Sequence, residues 1–143
     1  MMEDLYLIAH VAGRTVAIAS AQVESVVDIG EVTAVPRAPD QVRGLAALRS
    51  RVVTVVDTRA ALGLEGRSAS GRAIIVHDEG HHYAMLVDAL DDIAPFVRQP
   101  LAGGIGLSPA WRRVALGLIE RDGEPVLVVD LNALIPRGLA AAA

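Results

Sequence analysis

Residues 44–62 read GLAALRSRVVTVVDTRAAL, and residues 117–135 read GLIERDGEPVLVVDLNALI. Laid on each other without a gap, Gly44, Leu45, Val53, Val55, Val56, Asp57 and Ala60 meet Gly117, Leu118, Val126, Val128, Val129, Asp130 and Ala133. Each stretch describes the same small unit. A Gly-Leu pair leads into a hairpin, and a Val-rich strand follows with apolar residues on both faces, as in an interior strand. An aspartate then stands where it can cap a short helix. Upstream, VESVVDI at 23–29 echoes VDALDDI at 87–93. The pattern predicts two copies of one small β-unit, divided roughly into residues 15–70 and 71–136. Residues 1–14 would pair between or onto them, and the tail 137–143 would fray. A unit of about 65 residues is marginal alone, so the two are expected to share an interface.

The rest of the chain fits this frame. DLYLIAH and RTVAIAS flank Ala12-Gly13, and RAIIVHD and HHYAMLVD flank Glu79-Gly80. Both read as hairpins, with a third at Asp122-Gly123. Ser20 is expected to cap a helical turn, Gly63 to stop the helix after Asp57, and Ser108-Pro109 to start another turn. EGRSASG at 65–71 reads as a polar loop. Short strands, glycine turns and one-turn helices imply an all-β barrel class.

Composition narrows the function. Hydrophobic residues make up 52% of the chain and aromatics 3%, so Val, Leu, Ile and Ala build the core. No apolar run approaches the roughly 18 residues of a membrane helix. With no cysteine there is no disulfide framework and no thiolate zinc site. The net charge is −4 and no basic cluster sits among aromatics, so nucleic acid is not expected as a partner. The opening MMEDLYLIAH begins with acids, so a secretory leader is not expected. A cytoplasmic domain without direct membrane insertion is expected.

Catalytic constellations are weak. HDEGHH carries His77, His81 and His82, which suggest a metal-dependent hydrolase as an alternative reading. Alternation along flanking strands is expected to separate these histidines, so no metal and no cofactor is expected. None of Ser20, Ser25, Ser50, Ser68, Ser70 or Ser108 sits in a nucleophile-elbow pattern. GGIG at 103–106 lacks the following Lys-Ser/Thr of a phosphate loop. Asp91 and Asp92 are neighbours on a strand and are expected to point apart. No catalytic residue emerges, and a binding surface fits better. The two copies differ most at one turn, where Leu48-Arg49-Ser50-Arg51 replaces Arg121-Asp122-Gly123-Glu124.

With those residues in hand, QVRGLAALRSRVVTVVDTRAALGL resembles the signature segment of the CheW-like domain family, through Gly44, Leu48, Arg49, Asp57 and Arg59. VESVVDIGEVTAVPRAP, AMLVDALDDI and GLIERDGEPVLVVDLNALI resemble its other segments in order. The resemblance implies two five-stranded SH3-like barrels packed together and no catalysis. It implies a coupling scaffold that joins chemoreceptor cytoplasmic tips to the regulatory domain of the histidine kinase CheA, in arrays at the membrane. The same fold serving another chemosensory pathway, in motility or development, is the nearer alternative. The implied binding residues are Val23, Val26, Gly44, Leu48, Arg49 and Ser50, in a groove between the barrels. Arg49 is expected to be the anchor and Arg51 a solubilising neighbour. The chain departs from the family pattern at Ser50 (Gly in the family), at Ala47 (Asn) and at Ser25, where the usual acid stands one place earlier as Glu24.

Overall fold

In the computed structural model, residues 3–66, 71–101 and 106–136 are described. The expected tail 137–143, Ser68, Ser70 and most of GGIG lie outside them. Ten strands form two five-stranded sheets. They are β1 (Asp4–Val11), β2 (Arg14–Ala19), β3 (Ser25–Asp28), β4 (Val42–Leu48), β5 (Arg51–Val56), β6 (Arg72–Asp78), β7 (His81–Leu86), β8 (Ala89–Phe96), β9 (Ala115–Arg121) and β10 (Glu124–Val129). Helix α1 (Thr58–Ala61) follows β5, and α2 (Pro109–Val114) precedes β9. Single 3₁₀ turns occupy Ser20–Gln22 and Leu131–Leu134.

The first sheet has the order β8-β1-β2-β10-β9, the second β3-β6-β7-β5-β4. The two orders are the same fold, with β8, β9, β10, β1 and β2 standing for β3, β4, β5, β6 and β7. In each, one parallel pair, β2 with β10 or β7 with β5, joins antiparallel ladders. The division near residue 70 is therefore corrected. The second unit is continuous from β3 to β7, whereas the first combines the N-terminal hairpin with β8–β10. The gapless match over 44–62 and 117–135 covers the strands whose chain order is the same in both units. It cannot show that the hairpin completing the later copy comes from the start of the chain.

Both faces of the inner strands are buried over most of their length, with the start of β5 at Val52 an exposed exception, and each face belongs to a different core. Tyr6, Ile8, Ala17, Ile119, Val126 and Val128 fill the first unit. Ala46, Val53, Val55, Ala73, Ile75, Ala84 and Leu86 fill the second. The alternate residues of the same strands, among them Leu7, Ile18, Ile74, Met85 and Leu127, join Trp111, Leu131 and Leu134 in a third cluster between the sheets. This explains the apolar content of the chain, because a strand buried on both sides cannot alternate with polar residues.

The equivalent glycines are fixed by close approach. Thr33 bridges Leu45, and Gln99 bridges Leu118. A Cβ on Gly44 (φ 144°) would meet the Thr33 carbonyl oxygen at 2.2 Å. One on Gly117 (φ 159°) would meet that of Gln99 at 2.6 Å.

The two caps are similar but not equal. Asp57 accepts from the Arg59 and Ala60 backbone N–H groups at 3.0 and 3.4 Å and pairs with Arg43 at 3.2 Å, while only 2% exposed. Gly63 follows at positive φ and ends this helix, as expected. Asp130 accepts from Asn132 N–H at 3.1 Å and from the Gln22 amide. Ser20 is not a cap: it is the first residue of its turn, and Ala19 holds the cap position without a side-chain bond. Ser108 does cap α2, through Trp111 N–H.

Alanine at Gly44 or Gly117 is expected to destabilise the protein by about 2 kcal/mol or more, since the backbone carbonyl cannot yield. Urea unfolding checks this, and a neutral effect at both would refute the pairing. Asp130→Ala is expected to cost about 1 kcal/mol, an ordinary cap. Asp57→Ala is expected to cost more, about 2 kcal/mol, because it removes the pairing of a buried carboxylate with Arg43 as well as the cap. Equal losses in the same assay would show that the ion pair contributes nothing.

Candidate functional site

Three hairpin turns, Ala12-Gly13, Glu79-Gly80 and Asp122-Gly123, place both central residues at positive φ. This is the arrangement that matches strand twist, with glycine second. The β4–β5 turn differs. Leu48 pairs with Arg51, leaving Arg49-Ser50 as the loop, and Arg49 takes φ 53° while Ser50 does not take a positive value. The positive φ costs about 1–2 kcal/mol for an L-residue, and Ala12, Glu79 and Asp122 take it at the equivalent place with φ 52°, 49° and 53°. What sets this turn apart is Ser50, which stands where the others have glycine.

Around this tip lies a groove of about 650 Å³. Its apolar lining includes Val26, Leu48, Val53 and Ile75, and its rim carries Glu24, Asp28, Arg49 and Arg51. Val26 is 41% exposed, and Val52, behind the tip, is 63% exposed. Three of the four rim charges are held. Arg51 pairs with Glu24 at 3.4 Å, and Asp28 with Arg72 at 2.8 Å. Arg49 is exposed and makes no ion pair or hydrogen bond among the described residues.

The structure thus brings together Val26, Leu48, Arg49 and Ser50. It separates two other expected residues from them. Val23 is half-buried against the core between the sheets and lines another cleft. Gly44 is buried behind Thr33 and acts through the fold. The groove lies within the second unit, between β3 and the β4–β5 tip, and not between the two units. Glu24 was legible only as a displaced acid, because nothing in the chain's local pattern shows that it reaches Arg51.

The histidines also need correction. His77 and His82 are cross-strand partners, and partners share a face even though neighbours along one strand do not. Their rings lie 4.8 Å apart, and His82 Nε2 contacts Glu24 at 3.0 Å. His81 pairs with Asp78 instead. Among the described residues no three His, Cys, Asp or Glu side chains form a metal-binding group. Asp91 and Asp92 are likewise joined, since Arg121 reaches them at 3.2 and 3.5 Å. No helix of the described residues is long and apolar enough to cross a membrane.

Comparison with known proteins places these features. The profile of a family described as "CheW: CheW-like domain" matches residues 5–138. A "Chemotaxis protein CheW" of Rhizobium meliloti (strain 1021) is 27% identical over 107 residues, spanning 73% of this chain and 69% of that protein. The crystal structure of scaffolding protein TtCheW from Thermoanaerobacter tengcongensis superposes with a TM-score of 0.78 at 21% identity, covering 96% of this chain and 95% of that one.

The turn yields a stability test. Arg49→Ala is expected to leave stability within about 0.5 kcal/mol, because alanine meets the same backbone strain and no contact is lost. Arg49→Gly is expected to raise stability by about 0.5–1 kcal/mol by relieving that strain. Chemical denaturation of both variants decides, and a destabilised glycine variant would mean that Arg49 holds the tip together.

Proposed function

The chain belongs to the CheW-like domain family, and on that premise we propose that it couples chemoreceptor cytoplasmic tips to the regulatory domain of the kinase CheA. Proteins of this family are non-catalytic scaffolds, and a chemotaxis coupling role agrees with the names of its relatives. The observation that carries the site assignment is Arg49, an exposed guanidinium without an ion pair or hydrogen bond among the described residues, beside an apolar groove. A cation that the fold itself does not use is available to a carboxylate outside it.

Val26 and Leu48 offer an apolar seat for one face of a partner helix, and Arg49 offers a charge-assisted bond to a carboxylate beside it. Ser50 leaves the turn polar and small. The protein would be recruited from the cytoplasm to receptor arrays, where repetition of weak contacts raises overall affinity.

Arg49→Ala is expected to weaken association with a receptor-tip fragment or the CheA regulatory domain by about 1–3 kcal/mol, the range for an interfacial anchor. Arg51→Ala is expected to change it far less, since its charge is already held by Glu24. Calorimetric titration of both variants tests the reading. Native affinity of Arg49→Ala for both partners would refute it.

A further inference from the structure

Resting on the reading of the Arg49 groove, a further point concerns what sets that groove's charge. Glu24 stands just ahead of β3 and contacts two groups. Arg51 NH1 approaches Oε1 at 3.4 Å, and His82 Nε2 approaches Oε2 at 3.0 Å. Arg51 lines the same groove as Arg49. Left unpaired, it would add a second cation to the rim.

The first unit holds an analogous trio at other positions, with Arg121 at the place of Leu48 and His10 on β1 where His82 is on β7. Asp91, on the strand equivalent to β3, contacts Arg121 at 3.2 Å and His10 at 3.1 Å. Arg121, like Arg51, belongs to a residue pair flanking the hairpin turn. In each unit an acid at or just ahead of the outer strand thus contacts both an arginine flanking the tip and a histidine. In the first unit this leaves no free tip cation, because Asp122 and Gly123 form the turn. In the second it leaves one, Arg49.

We propose that Glu24 is a positioning residue that keeps Arg51 out of partner recognition, so that the groove presents a single cation. The groove then favours an apolar helical segment with one carboxylate placed against Arg49. More strongly acidic segments gain little extra attraction. Both members of the Glu24–Arg51 pair are about half exposed (44% and 49%), so the pair adds little to stability and its work is to fix where the charge sits.

The test is calorimetric titration of a chemoreceptor cytoplasmic-tip fragment at two salt concentrations. It uses the native chain, Arg49→Ala, Arg51→Ala, Glu24→Gln and the double variant Glu24→Gln/Arg51→Ala. Glu24→Gln is expected to tighten binding about three- to tenfold, in line with one added surface charge contact. It is also expected to steepen the salt dependence. Adding Arg51→Ala should return both to the native values. A gain that survives Arg51→Ala would overturn the proposal, since it would come from loss of the Glu24 charge itself. Unchanged or weaker binding by Glu24→Gln, with Arg49→Ala still impaired, would overturn it and leave the groove reading standing. Native binding by Arg49→Ala would remove both. A readout without any partner is the ¹⁵N relaxation of the Arg51 guanidinium, expected to be ordered in the native chain and mobile in Glu24→Gln. Equal mobility in the two would also overturn the proposal.

Discussion

The constraint on which the structure depends is that its inner strands are apolar on both faces. Tyr6 and Ile8 point into one unit while Leu7 and Ala9 point at the other. Ile75 and Ile74 divide in the same way on β6. Burying a side chain of this size contributes about 1.5–3 kcal/mol, and neither sheet alone can cover its second face. The layer between the sheets, closed at its edge by Trp111, Leu131 and Leu134, therefore makes two marginal units into one domain. The Leu48–Arg51 tip lies outside this layer, which leaves it free to vary.

Much of this was legible in the sequence. The double-sided strand VVTVV, the aspartate caps and the glycine turns each follow from local stereochemistry. The matched Gly44 and Gly117 point to equivalent units, and both sit against a neighbouring backbone carbonyl. What escaped was the assignment of strands to units. The first unit closes on a hairpin from the other end of the chain, and local pattern carries no record of such long-range pairing. The cross-strand meeting of His77 with His82 escaped for the same reason, since it depends on register and not on alternation along one strand.

The site was legible as a difference between copies. Where residues 121–124 form an ordinary Asp-Gly turn, residues 48–51 carry Arg49-Ser50, and the structure leaves the Arg49 guanidinium exposed and without an ion pair among the described residues. The apolar seat beneath it was only partly foreseen. Val26 and Leu48 converge there, but Val23 and Gly44 serve the core and the strand crossing. The partner of Arg51 could not be read at all, because Glu24 reaches it across the sheet.

If the fold resides in what the two units share and the function in what they do not, the two can be separated by one graft. The Leu48–Arg51 tip would be given the residues of the Arg121–Glu124 tip by Leu48→Arg, Arg49→Asp, Ser50→Gly and Arg51→Glu together. The measurement is thermal unfolding of this chimera alongside its titration with a receptor-tip fragment. The account predicts a midpoint equal to or above the native one, because an Asp-Gly turn suits the hairpin, together with loss of association. A stable chimera that still associates with native affinity would contradict it.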